Sequence, residues 1–211
     1  YSPRPGVRAG PSALGATPDA GPDKRRVVVL GAGLAGACTA AALAAQGYAV
    51  QVLDARAEPA QASSGNPAGL YHGTVHADDG PHARLFRAAA LHTARLLASL
   101  DAARVPHHRQ GLLRLEHELD MPAMQALLDA QGLPADFVQA LGATQAAACA
   151  GVPLAAPAWW YPSGGWVSPA HLVRERLTSH PAIAFRGHCT AAGLRRHDGQ
   201  WQVLDDRGQP L

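Results

Sequence analysis

The segment Val27-Val28-Val29-Leu30-Gly31-Ala32-Gly33-Leu34-Ala35-Gly36 leaves this chain few ways to fold. A β-branched run reads as a strand over 27–30, and three glycines in a G-x-G-x-x-G spacing follow it at once. The alanine-rich stretch behind them predicts a helix over 34–46, and Ala49-Val50-Gln51-Val52-Leu53 predicts a second strand ending at Asp54. Each part has a mechanical reason. Gly31 permits the tight turn out of the strand, Gly33 lets a pyrophosphate approach the backbone, and Gly36 lets the helix pack on the sheet. The N–H groups of Leu34 and Ala35 open that helix, whose positive end faces the phosphates. From Val27 to Ala45 no residue is charged, which raises the question of a membrane span. The glycines argue instead for a strand, a turn and a helix, with no membrane partner.

Asp54 stands where an acid accepts hydrogen bonds from an adenosine ribose, and its charge disfavours a 2′-phosphate. Ala55 and Arg56 follow it. The loop Ala62-Ser63-Ser64-Gly65-Asn66-Pro67-Ala68-Gly69 then brings small residues back soon after the second strand. Ser64, Gly65, Asn66 and Gly69 offer backbone N–H groups and short polar side chains to a pyrophosphate and a flavin, which favours FAD over NAD. An ordinary surface turn is the plain alternative.

Further along, periodicity predicts helix 84–101, with Leu85, Phe86, Ala89, Leu96, Leu97 and Leu100 as its apolar face and His92 packed near it. A strand at 110–116 and helices at 121–131 and 143–150 come next. An aromatic, glycine-rich segment covers 158–168, and a helix begins at Pro169. Strand 182–187 precedes a hairpin turning at Asp198-Gly199. His107-His108-Arg109 reads as a solvated turn at a domain crossing, with a phosphate contact as the alternative. Trp159, Trp160 and Trp166 read as core packing, with base stacking as the alternative. Tyr71 and His72 read either as flavin neighbours or as a core tyrosine beside a surface histidine.

Composition bounds the class. With 47% apolar and 16% charged residues the chain can bury a core, and a net charge of +2 excludes a composition dominated by polyanion binding. Three cysteines, Cys38, Cys149 and Cys189, are too scattered for a disulfide framework or a zinc site, which favours a reducing, cytoplasmic setting. Residues 1–25, with five prolines and four glycines, read as a linker. No Ser/His/Asp set or metal-ligand motif appears, so no catalytic residue is assigned.

The fingerprint, the Ser64-Gly65-Asn66-x-x-Gly69 loop and Tyr161-Pro162-Ser163-Gly164-Gly165-Trp166-Val167-Ser168-Pro169 together resemble the D-amino-acid-oxidase-like flavoenzymes. Within them they are most similar to the FAD-dependent oxidase half of the bifunctional enzymes that build 5-methylaminomethyl-2-thiouridine in tRNA. The resemblance spans roughly residues 26–211. It implies an α/β fold in which a Rossmann-type FAD-binding domain is interrupted by a largely antiparallel α+β substrate domain, C-terminally truncated. The implied division is a linker at 1–25, FAD-binding segments at 26–106 and 167–211, and a partial substrate domain at 107–166. It further implies oxidation of a carbon–nitrogen bond in the carboxymethylaminomethyl group of a tRNA wobble uridine, giving aminomethyluridine and glyoxylate. Fusion to an N-terminal S-adenosylmethionine-dependent methyltransferase domain is also implied. Two alternatives stay open: a small-molecule amino-acid or glycine oxidase of the same fold, and a nucleotide-binding fragment without turnover.

Overall fold

A computed structural model of the protein describes residues 25–211 and, before them, a two-residue strand β1 at Ala13–Leu14. The linker expected over 1–25 otherwise lies outside the described residues. The chain divides into two compact units, Tyr1–Pro67 with Pro169–Leu211, and Ala68–Ser168. The second unit thus includes residues 68–106, which the sequence grouped with the first FAD-binding segment.

The first unit starts with β1, β2 (Arg26–Leu30), α1 (Leu34–Ala45), β3 (Ala49–Leu53) and a 3-10 turn at Ser63–Gly65. The second holds β4 (Gly69–Tyr71), α2 (Pro81–Ala98), β5 (His107–His108), β6 (Leu112–Leu115), α3 (Met121–Gln131), β7 (Gln139–Leu141), α4 (Ala143–Ala150), β8 (Ala158–Tyr161) and β9 (Gly165–Val167). The first unit then resumes with α5 (Pro169–Thr178), β10 (Ile183–Arg186), β11 (Gly193–His197) and β12 (Gln200–Leu204).

In the first unit the sheet order is β1-β10-β3-β2. β10, β3 and β2 run parallel, and β1 is antiparallel to β10. Register places Val29 beside Val52 and Val52 beside Phe185, so one face is a continuous apolar row. Against it lies α1, whose buried Ala37, Ala40 and Ala44 repeat at helical spacing and, being small, let the helix approach closely. Val173 and Leu177 of α5 complete that core. β11 and β12 form the expected hairpin. Asp198 and Gly199 both take positive φ (48° and 78°), the backbone of a tight two-residue turn.

The second unit is antiparallel, with sheets ordered β4-β9-β5 and β6-β8-β7. Met124, Leu128, Phe137, Val138, Trp159 and Tyr161 form its core. Asp120 caps α3 by accepting the Ala123 N–H at 2.9 Å, and Gly132 ends it at φ 58°. Trp159 donates its indole N–H to Glu116 Oε2 at 2.7 Å, while Glu116 Oε1 accepts the N–H groups of His117 and Glu118. The buried carboxylate thereby holds the chain leaving β6.

Three expectations need correction here. Helix α2 spans Pro81–Ala98, not 84–101, and Leu85 and Phe86 are 66% and 46% exposed. Ala83 and Leu97, with half-buried Ala90 midway between them at a spacing of seven, turn inward, and His92 is exposed as well. His107 and His108 are a strand paired with β9, not a solvated turn, because Val167 and Trp166 lie opposite to receive them. The tryptophans separate: Trp159 is core at 1% exposure, while Trp166 is 37% exposed.

Candidate cofactor site

The glycine turn sits where β2 meets α1, at the C-terminal edge of the parallel strands. Gly31 has φ 98°, a conformation L side chains rarely adopt, and its N–H donates to Leu53 O at 2.7 Å. A Cβ on Gly36 would stand 1.8 Å from the Gly31 carbonyl oxygen, so the helix touches the turn with no room for a methyl group. Gly33 is the helix N-cap without a side-chain acceptor, and no acid lies in the first turn. The ladder starts with the Ala37 N–H donating to Gly33 O at 2.9 Å. The N–H groups of Ala35 and Gly36 are therefore left without an intrahelical partner at the helix end, where anions are favoured, while that of Leu34 is taken by Ser64.

Two side chains brace this turn. The Ala32 N–H donates to Asp54 Oδ2 at 2.7 Å, and the Arg56 N–H donates to Asp54 Oδ1 at 2.8 Å. The Leu34 N–H donates to Ser64 Oγ at 3.0 Å, which brings the small-residue loop directly over the helix start. A Cβ at Gly33 would lie 3.1 Å from that same Ser64 Oγ, so the gap between turn and loop is open only because residue 33 has no side chain. Ala60 N–H donates to Ala32 O at 3.0 Å, tying the intervening loop to the turn.

Beside the brace lies an open cleft of about 780 Å³, bounded by Ala55, Arg56, Ala57, Ala60, Gln61, Ala62, Gly65, Asn66 and His188. That volume falls within the usual span of small-molecule sites, about 300–1,000 Å³. The far wall is built by the chain leaving β10. His188 N–H donates to Arg56 O at 3.0 Å and Cys189 N–H to Asp54 O at 2.8 Å. A Cβ on Gly187 would stand 2.3 Å from the Ala57 carbonyl oxygen, so the two segments meet at a glycine. His188 itself holds φ 55°, a strained position for a side chain of its size.

Of the residues expected from the sequence, Gly31, Gly33, Leu34, Ala35 and Gly36 form the turn, Asp54 and Ser64 brace it, and Ala55, Arg56, Gly65 and Asn66 line the cleft. Gly69 opens β4 and belongs to the second unit. Sequence reasoning passed over Ala57, Ala60, Gln61 and His188. Only Gly187, a glycine directly after a strand, signalled that wall. The arrangement fits an adenine dinucleotide: a cradle that a Cβ would fill, outward-facing N–H groups at a helix end, and a polar cleft next to an acid. Burial pushes the Cys38 and Cys189 thiols up, so neither offers a thiolate near neutral pH. Among the described residues no group of His, Cys, Asp and Glu is placed to hold a metal ion. No described helix is long and apolar enough to cross a membrane.

Comparison with known proteins agrees with this geometry. Residues 26–210 match the DAO family, FAD dependent oxidoreductase. The chain is 45% identical over 188 residues to the tRNA 5-methylaminomethyl-2-thiouridine biosynthesis bifunctional protein MnmC of Methylibium petroleiphilum, covering 89% of this chain and 29% of that protein. It is 37% identical over 195 residues to the protein of the same name from Paraburkholderia phytofirmans, covering 90% and 29%. The chain thus spans under a third of the length of these curated relatives. Among solved structures, glycine oxidase from Bacillus cereus aligns with a TM-score of 0.62 at 20% identity, covering 88% of this chain and 52% of that one. L-proline dehydrogenase from P. horikoshii aligns with a TM-score of 0.68 at 16% identity, covering 89% and 50%. At such identities the likeness concerns the fold, which is mixed α/β.

Proposed function

The chain belongs to the family of FAD dependent oxidoreductases, and from that premise we propose that it supplies the FAD-binding part, and some of the substrate-binding part, of an enzyme that oxidises modified tRNA. The substrate is the carboxymethylaminomethyl group on a wobble uridine, and the products are aminomethyluridine and glyoxylate. The observation carrying this reading is the 45% identity to a tRNA-modifying bifunctional protein across 89% of the chain. The small-molecule oxidase reading leans only on fold-level likeness at 20% identity. Fusion to an S-adenosylmethionine-dependent methyltransferase in a cytoplasmic, multifunctional enzyme accompanies the same reading.

In this assignment the first unit binds FAD and the second serves the substrate. FAD, when bound, supplies the two-electron acceptor for the C–H bond beside the substrate nitrogen. The protein's work is binding and orientation. Gly33 clears the approach to the backbone, Gly31 and Gly36 let the turn and the helix meet, and Ala35 presents its N–H to the pyrophosphate while the Leu34 N–H is held by Ser64 Oγ. Asp54 holds the turn through Ala32 and turns its remaining lone pairs toward the ribose hydroxyls. Ala55, Arg56, Gly65 and Asn66 line the nucleotide cleft, Ser64 fixes the loop, and Gly69 carries the chain onward from it.

The test is product analysis. The full-length enzyme that carries this chain, loaded with FAD, is incubated with tRNA carrying carboxymethylaminomethyluridine and, separately, with free glycine, and glyoxylate is measured. Release from tRNA alone supports the proposal, whereas release from glycine alone assigns a small-molecule oxidase.

A further inference from the structure

The two antiparallel pairings of β9 put Leu70 and His108 directly opposite Trp166, one on each side. Residues directly opposite on antiparallel strands share a face, with Cβ atoms about 4.5–5.5 Å apart. Leu70, Trp166 and His108 therefore form one continuous row across the β4-β9-β5 sheet. All three are exposed, Leu70 at 75% and Trp166 at 37%. The other two tryptophans of the unit are committed elsewhere. Trp159 is buried and bonded to Glu116, and Trp160 lies so close over Gly111 that a Cβ there would fall 1.7 Å from its ring.

Charge decides what such a row receives. The segments that build and flank it, residues 68–76, 104–110 and 162–168, contain Arg104, Arg109 and four histidines, and no aspartate or glutamate. An apolar and aromatic row whose own segments carry two arginines and no carboxylate, with the nearby Asp78 engaged by His76 at 2.8 Å, suits a flat π-face carried on a polyanion. We propose that Trp166, flanked by Leu70 and His108, is a platform on which an unpaired base of the RNA substrate stacks, with Arg109 and Arg104 meeting adjacent phosphates. This rests on the tRNA reading above and names a positioning residue for it.

The experiment uses the FAD-loaded protein, a fluorescently labelled RNA stem-loop with an unpaired uridine-containing loop, and the variants Trp166→Ala, Trp166→Phe and His108→Ala. Stacking on an aromatic ring is lost in Trp166→Ala, so its affinity for the RNA falls about tenfold or more. Trp166→Phe retains most of the affinity, His108→Ala loses part of it, and flavin content and melting temperature stay unchanged in all three. Unchanged RNA affinity in Trp166→Ala overturns the platform. A lowered melting temperature with loss of FAD in that variant also overturns it, because Trp166 is then a packing residue. If the unaltered protein releases glyoxylate from tRNA and Trp166→Ala does so with the same KM, the platform fails while the tRNA reading stands. Absence of RNA binding and of tRNA turnover in the unaltered full-length enzyme overturns both.

Discussion

Asp54 and Ala32, 22 residues apart, are joined by a 2.7 Å hydrogen bond from the Ala32 N–H to Asp54 Oδ2. The acid at the end of β3 thus holds the glycine turn at the end of β2 in place before any ligand arrives. Asp54→Asn keeps one acceptor oxygen and turns an amide N–H₂ toward a backbone donor. One charge-assisted bond is lost, worth about 1.5–3 kcal/mol. Both the melting temperature of the apoprotein and the FAD affinity are expected to fall. Thermal melting and FAD titration of the variant check this, and a drop in only one of them separates bracing from ribose contact.

The glycines at 33 and 36 make opposite predictions. A methyl at Gly36 meets backbone, 1.8 Å from Gly31 O, and Gly36→Ala is expected to destabilise the first unit by about 1–3 kcal/mol or more. A methyl at Gly33 meets only the Ser64 hydroxyl, 3.1 Å away, in an extended backbone that alanine adopts freely. Gly33→Ala is expected to keep its melting temperature within about a degree or two and to lose FAD. Calorimetry beside flavin content distinguishes the pair.

His188 is predicted to bear strain in exchange for its place in the cleft. Glycine adopts φ 55° without penalty, so His188→Gly is expected to stabilise the apoprotein by about 1 kcal/mol. Removing the ring from the cleft wall should at the same time weaken FAD binding. Denaturation of the apoprotein and FAD titration should therefore move in opposite directions.

Much of this frame was legible locally. β2 and β3 declare themselves by β-branched runs, α1 by its alanines, and the hairpin by Asp198-Gly199, because each follows from the preferences of adjacent residues. β4, β5 and β7 did not, since strands of two or three residues exist only through distant partners. His107 and His108 form one because Val167 and Trp166 lie opposite. The apolar pattern of α2 misled for a related reason. Leu97 is buried as expected and Leu96 and Leu100 are half-buried, but Leu85 and Phe86 are exposed and Ala83 is buried in their stead. At the site, the turn was readable from its glycines. The wall at Ala57, Ala60, Gln61 and His188 was not, because backbone placement rather than residue chemistry puts it there.

Glu116 gives the second unit an acid-sensitive anchor. The N–H of Glu118, then the indole of Trp159 and the N–H of His117, hold its carboxyl below the ordinary glutamate range, against the opposing effect of burial. A depressed folded-state pKa stabilises above the unfolded value, about 4.3. That contribution is complete at neutral pH and is lost as the pH falls through and below this range. Glu116→Gln is expected to cost about 1–3 kcal/mol at neutral pH, with the difference from the unaltered protein shrinking in acid. Urea unfolding followed by tryptophan fluorescence across the acid range reads this out.

The central claim is that the braced glycine turn and its cleft hold FAD. Its most direct test is titration of the purified protein with FAD, followed through the flavin absorbance bands, in parallel with Gly33→Val. The account predicts saturable binding with perturbed flavin bands in the unaltered protein, and a free-flavin spectrum at every concentration in a Gly33→Val protein that melts normally. Equal FAD affinity in the two proteins would contradict it.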